Sequence, residues 1–399
     1  LRLKRNNQMK YLTIFLLVLS MFFNADISAQ QTIAPSIKWK IAAQLPPENG
    51  KDISIGVAGP VTGVHNEVLI VAGGANFPDG LPWNGGKKKY QDEIFVLQQK
   101  RKGKFQWLDT KAFKLPVATA YGANVNTEQG IAYLGGENEN GISKASFLLQ
   151  WNTESEKVEI KNLPDLPIPL TNASAAVNKN IIYIAGGETV NAVSQKFYSL
   201  DLNNTAAGWK QLPDLPYAVS NAVMVVQSNG ETDKIYLLGG RKKNINTVSS
   251  FYNSVYAFDI DTKTWEEKKS IPSPKAAGTG IAVGKNYILL FGGDDGTTFN
   301  KTESLIMAIS NEKDEIKKQE LVEQKNKLQM AHPGFKPDVM LYNTVTDEWQ
   351  KLADIPFAVP ATTTAVFWDN CVFIPSGEIK AGVRTAQVLV GKLKKSLND

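Results

Sequence analysis

Two adjacent glycines close a short apolar run at five places in this chain of 399 residues, and a sixth place nearly repeats them. The pairs are Gly73-Gly74, Gly135-Gly136, Gly186-Gly187, Gly239-Gly240 and Gly292-Gly293; the imperfect copy is Ser376-Gly377. The runs that lead into them read VLIVAGG, IAYLGG, IIYIAGG, IYLLGG, ILLFGG and CVFIPSG. Successive copies lie 62, 51, 53, 53 and 84 residues apart. A period near 50 marks a repeat architecture, in which one unit cannot bury its apolar face alone and must pack on its neighbours. The long last step places an insertion inside one unit.

Each pair ends a strand that forms a hairpin with the one before it. Ala120–Asn126 with Gly130–Leu134, and Ala173–Val177 with Ile181–Ala185, are such hairpins. Small residues fill the first strand of each unit (GANVN, ASAAV, GTGIAV, TTTAV), which suits a crowded position near an axis. A third strand follows, as in EIFVLQ, SFLLQWN and SVYAFDI. A fourth begins with tryptophan in most units (Trp39, Trp107, Trp209, Trp265, Trp349), or with Val158-Glu159-Ile160 in the second, and a proline-containing connector comes next. Six units of four antiparallel strands predict an all-β, six-bladed β-propeller. Closing the ring removes exposed strand edges. Trp39 with the LPP at 45–47 is a fourth strand without the three before it, and residues 361–393 hold three strands without a fourth. The N-terminal strand is therefore expected to complete the C-terminal blade.

The first residues have a different character. A basic stretch, Arg2 to Lys10, precedes an apolar run 13 residues long, Tyr11 to Phe23, and then Ile27-Ser28-Ala29. This is the pattern of a secretory signal peptide over 1–29, too short to span a membrane. It predicts export, to a bacterial periplasm, with no membrane attachment after cleavage and a single propeller domain over 30–399. The formal charge is +5, of which +3 lies in the first 30 residues, so no basic surface for nucleic acid is implied. A single cysteine, Cys371, allows no internal disulfide and is read as a packing residue. Two histidines, His65 and His332, supply neither a zinc framework nor an obvious serine triad, and no GxGxxG or phosphate loop occurs. No metal and no cofactor are expected.

Strand alternation puts every loop between strands two and three on one face of the ring. Most are short, but blade one has Ala75–Gln91, with Phe77, Trp83, Tyr90 and Lys87-Lys88-Lys89, and blade five has Asp294–Lys336. Both flank the Glu378–Thr385 loop of blade six once the ring closes. Within the blade-five insertion (helical over about 310–335), Asn311–Met330 reads as a charged helix, either a lid over the funnel or a decorative element. Glu378 and Arg384 are either a surface ion pair, worth about 0–1 kcal/mol, or functional groups. Residues after the other pairs face the same funnel: Asn76, Glu137, Glu188, Arg241 and Asp294. Asn76, Glu137 and Arg241 are either ligand contacts or turn residues; Phe77 and Trp83 either pack on a ligand or anchor their loop.

The repeats resemble the kelch family across nearly all of residues 30–399. Two segments, GVAGPVTGVHNEVLIVAGGANFPDGLPWNGGKKKYQDEIFVL (56–97) and SGEIKAGVRT (376–385), resemble the N-acetylneuraminate epimerases, the sialic acid mutarotases, in a circularly permuted order. The resemblance implies an isomerase that interconverts the anomers of sialic acid, α to β, without a cofactor. It places the acid/base role on Glu378 and carboxylate binding on Arg384, whose planar fork suits a carboxylate. The small-molecule partner would be an acidic sugar. Sialidases share the blade number and the sugar, but their aspartate boxes are absent here. A non-catalytic propeller that binds glycan or protein, or a mutarotase for another acidic sugar, remains the alternative.

Overall fold

The computed structural model describes residues 36–47, 51–109 and 113–393; the segment read as a signal peptide lies outside them. Six four-stranded antiparallel sheets make the six blades. Blade one runs Val61–His65, Val68–Ala72, Ile94–Lys100 and Lys104–Trp107 from axis to rim. Blade six takes three strands from the C-terminal part, Val366–Trp368, Cys371–Pro375 and Gln387–Leu393, and its outer strand, Ile37–Gln44, from the N-terminal part. Trp39 sits opposite Gly391 in that pairing, and its ring meets Phe291 of blade five edge-on at 5.6 Å. The expected closure is what the structure shows.

The second strands explain the apolar runs. Val68–Ala72 and Gly130–Leu134 are buried at every residue, because a neighbouring blade covers each face of the sheet. Continuous apolar sequence, rather than alternation, is the signature of such a strand. One apolar cluster fills each gap between blades. Between blades five and six, for example, Leu289, Phe291 and Leu341 meet Ile374, Leu389 and Leu393. Burying one such side chain stabilises by about 1.5–3 kcal/mol, so these six clusters carry the fold. Tryptophans add ties at the rim: the indole N–H groups of Trp107, Trp209 and Trp349 donate to Gln44, Pro164 and Lys269 of the preceding blade. Trp107 ends its strand and Trp209 stands just before its own, so tryptophan does not mark strand starts uniformly.

Around the axis the small first-strand residues allow close approach, and polar side chains bridge adjacent blades. The Asn124 carboxamide oxygen accepts from Thr62 N, and the Ser174 hydroxyl donates to Ala222 O. Just before each first strand lies one residue with left-handed backbone: Gly59, Tyr121, Asn172, Asn221, Ala277 and Thr362, with φ from 50° to 63°. Each of their N–H groups donates to the carbonyl of its counterpart in the preceding blade, at 2.7–2.9 Å, and Gly59 N to Thr362 O closes the circle.

Both glycines of each pair have positive φ. In Gly186-Gly187 the first N–H closes the third strand on Lys196 O, while the second donates to Val219 O of the connector to the next blade. In blade six Ser376 takes the first position at φ 55°, fully buried, and its hydroxyl bonds Val57 and Thr385. The blade-five insertion holds two helices, α1 (Thr297–Asn311) and α2 (Glu315–Met330), instead of the one expected from Asn311. Asp314 separates them by capping α2: its carboxylate accepts from Ile316 N and Lys317 N. Residues 297–310 escaped the sequence reading because TTFNKTESLIMAIS is rich in β-branched and hydroxyl side chains, which have weak helix propensity. No helix among the described residues is long and apolar enough to cross a membrane.

The pairs set a stability test. A Cβ at Gly186 would overlap the Val219 carbonyl, on a backbone with φ 65°. Left-handed strain of about 1–2 kcal/mol and overpacking of about 1–3 kcal/mol should add. Gly186→Ala is expected to lose roughly 2–5 kcal/mol in chemical denaturation; a variant as stable as the parent would show that this approach does not constrain the fold.

Candidate active site

The residue immediately after each glycine pair bridges back to the approach of its own first strand. The bridges are Ala75 with Ala58, Glu137 with Ala120, Glu188 with Thr171, Arg241 with Ser220, Asp294 with Ala276, and Glu378 with Ala361. Six equivalent positions therefore stand at one height above the ring. Glu137, Arg241, Asp294 and Glu378 line a cavity of about 470 Å³, with Tyr121, Asn172, Asn221 and Thr362 of the hydrogen-bonded circle contributing to its lining. Helix α1 supplies another wall through Phe299, Thr302, Glu303 and Ile306, spaced as one helix face.

Glu378 and Arg384 face one another across a short ribbon, Glu378–Lys380 with Val383–Arg384. The Glu378 Oε1 oxygen accepts from Gly382 N at 2.6 Å and from Arg384 Nη1 at 3.3 Å. Arg384 also donates from Nε to Ala75 O at 3.3 Å and from Nη2 to the Tyr121 hydroxyl at 3.4 Å. Its guanidinium lies over the Phe77 ring, 4.6 Å from the centroid. Side-chain exposures are 6% for Arg384 and 19% for Glu378, so this is no solvated surface pair. These bonds use three of the five guanidinium hydrogens and leave one on each outer nitrogen.

Arg241 and Glu137 are also paired. Arg241 Nη2 donates to Glu188 Oε1 at 2.9 Å, and its guanidinium stacks on Phe299 at 5.0 Å. Glu188 is turned toward Arg241, Ser220 and Asn221. Lys88 Nζ and the Tyr90 hydroxyl both donate to Glu137 Oε1 at 2.7 Å, and Lys88 lies over the rings of Tyr90 and Tyr121. Burial pushes the Asp294 carboxyl up, against the bond it accepts from Gly296 N. Burial likewise pushes the Tyr121 phenol up, with the Arg384 charge acting the other way. No group of three or more His, Cys, Asp and Glu among the described residues is arranged to hold a metal ion.

The structure thus gathers Glu378, Glu137 and Arg241 around one cavity, with Arg384 bonded to Glu378 from behind the lining. Asn76 is placed elsewhere: Ala75, not Asn76, follows the pair in phase, so alternation turns Asn76 away. It is buried, donates to Gly56 O and accepts from Gln91 Nε2. Phe77 covers Arg384. Trp83, in the turn Pro82–Asn84, packs against Gly382, and its carbonyl meets Asn326 Nδ2 of α2 at 3.5 Å. The insertion therefore touches the long blade-one loop. Tyr121, Asn172, Asn221 and Thr362 went unnoticed in the sequence. A signal existed: Gly59, Tyr121, Asn172 and Thr362 each stand 14 residues before the first residue of their pair. His65, by contrast, accepts from Trp151 N at Nδ1 and has a structural role.

The family model described as N-acetylneuraminate epimerase matches residues 23–160 and 163–399. An N-acetylneuraminate epimerase of Salmonella typhi is 27% identical over 226 residues, 56% of this chain and 56% of that protein. One from Haemophilus influenzae (strain 86-028NP) is 26% identical over 229 residues, 57% of this chain and 59% of that protein. The chain thus spans little more than half the length of the curated relatives it matches.

His332, on the cavity wall, accepts from Gly334 N at Nδ1. Burial holds it below the ordinary imidazole value of 6.5, against the opposing pull of Asp294 and Glu378. A depressed imidazole contributes stability that is complete above pH 6.5 and is lost as pH falls through its folded value. An NMR titration should therefore find its midpoint below 6.5; a midpoint above it would contradict the neutral, Gly334-bonded imidazole.

Proposed function

The chain belongs to the N-acetylneuraminate epimerase family, and we propose that it interconverts the α and β anomers of N-acetylneuraminate by opening and reclosing the sugar ring. The observation that carries this reading is the enclosed pair at one edge of the cavity, a carboxylate and a guanidinium 3.3 Å apart with unused valences. Glu378 Oε1 is held by two N–H donors, while Oε2 makes no hydrogen bond among the described residues. That oxygen takes the proton of the anomeric hydroxyl. Arg384 keeps one hydrogen on each outer nitrogen, the bidentate geometry that a sugar carboxylate accepts. Once the ring opens, rotation about C2–C3 turns the other face of the carbonyl to the ring oxygen, and closure gives the other anomer. The reaction consumes nothing and needs only proton transfer. Export to the periplasm, inferred from the basic, apolar and small-residue order of residues 1–29, would place the activity where released sugar arrives.

Proton NMR of freshly released α anomer tests the reading. The protein should accelerate exchange well beyond the spontaneous rate. Glu378→Gln should lower the rate by about 10²–10⁴-fold, and Arg384→Lys should raise KM by losing the fork. Tight sugar binding with no acceleration would instead identify a binding propeller.

A further inference from the structure

We propose that Tyr121 is the second proton-transfer group of this site, giving its phenolic hydrogen to the ring oxygen of the sugar while Glu378 takes the hydrogen of the anomeric hydroxyl. The inference rests on the epimerase reading and adds the acid that reading lacks. Ring opening moves two protons at two oxygens, and both oxygens are bonded to the same carbon, C2. That carbon also carries the carboxylate. The three protein groups that serve them must therefore be contiguous.

The structure holds such a triplet together through one guanidinium. Arg384 Nη1 meets Glu378 Oε1 at 3.3 Å, and Nη2 meets Tyr121 Oη at 3.4 Å. Arg384 donates in that second contact, so the phenol keeps its own hydrogen, and no other hydrogen bond of Tyr121 Oη is made among the described residues. Glu378 and Tyr121 both line the cavity. The other candidates are less well placed. Glu137 is held by Lys88 and Tyr90, Arg241 by Glu188, and His332 belongs to the blade-five insertion.

The backbone at Tyr121 points the same way. It is the one aromatic residue in the circle of six left-handed residues. Its φ of 62° is the one the whole circle shares, and it leaves this ring among the residues that line the cavity. Gly59 makes room, since a Cβ there would lie 2.5 Å from the Tyr121 ring. The Tyr121 N–H and carbonyl are fixed by Gly59 O and Asn172 N, both at 2.8 Å.

The step balances. The O–H bond of the anomeric hydroxyl breaks and its proton goes to Glu378. The C2–O bond of the ring breaks, its electron pair stays on the ring oxygen, and the Tyr121 proton joins it. The C2 carbonyl forms. The tyrosinate left behind faces Arg384 and Lys88, two cations that offset its charge, with Glu378 now neutral. Closure after rotation reverses both transfers, so the protein ends unchanged.

The test follows anomer exchange by proton NMR across pH for the parent protein, Glu378→Gln, Tyr121→Phe, His332→Asn and a chain carrying 3-fluorotyrosine, a more acidic phenol, at 121. Tyr121→Phe removes only a hydroxyl and should melt near the parent. Its kcat should fall about 10²-fold or more, with sugar affinity changed only a few-fold. The acid must be protonated to act, so activity falls as pH rises through its titration, and fluorotyrosine should move that alkaline limb to lower pH. Arg384, Lys88 and Glu378 are the charges that face the phenol, and all are retained in that chain. A Tyr121→Phe rate within tenfold of the parent, or an alkaline limb that fluorotyrosine leaves in place, overturns the proposal. If Glu378→Gln is inactive in that same series, the epimerase reading survives without Tyr121. A parent protein with no acceleration overturns both. An alkaline limb that vanishes in His332→Asn but ignores fluorotyrosine gives the role to the imidazole.

Discussion

Six backbone hydrogen bonds around the axis, one per blade, set the frame on which the site is built. They join Gly59, Tyr121, Asn172, Asn221, Ala277 and Thr362 head to tail, each in the left-handed region. Their energetic balance is close to even: a net hydrogen bond contributes about 0.5–1.5 kcal/mol, and a left-handed non-glycine residue costs about 1–2 kcal/mol. The circle is thus a device of register more than of stability. The six apolar clusters between blades supply the stability, and the circle fixes the height at which side chains enter the funnel.

The site follows from that register. Because the residue after each glycine pair bridges to the approach of its own first strand, five long polar side chains and one alanine stand at equivalent positions. The alanine matters, since Ala75 leaves its carbonyl to receive Arg384 Nε. The blade-six ribbon then brings Arg384 back beside Glu378 and over to Tyr121 of blade two. Phe77 covers the guanidinium, and low exposure strengthens each of these polar contacts relative to water. The blade-five helices add a mixed wall, apolar at Phe299 and Ile306 and polar at Thr302, Glu303 and Gln329.

Much of this was legible in the chain. The apolar runs before the glycine pairs gave the second strands, since burial on both faces leaves no alternation to obscure them. The orphan strand at Trp39 gave the closure. Ser376-Gly377 led to Glu378, and the spacing to Arg384 survived folding because a tight ribbon joins them. Asn76 misled because a one-residue phase error reverses a side chain on a strand. The first insertion helix misled because its propensity is weak and packing on the funnel decides it.

The repeat alone determined the architecture: a fixed period of apolar runs and glycine turns has one economical solution, a closed ring, and the two half-blades at the ends say where it closes. Which polar residues meet was decided only by the tertiary structure. Tyr121 and Arg384 are 263 residues apart and come together because closure sets blades one, two and six side by side. Local sequence encodes strand and turn through short-range backbone chemistry. A side chain's neighbours across the funnel depend on the ring's curvature and register, to which every blade contributes at once.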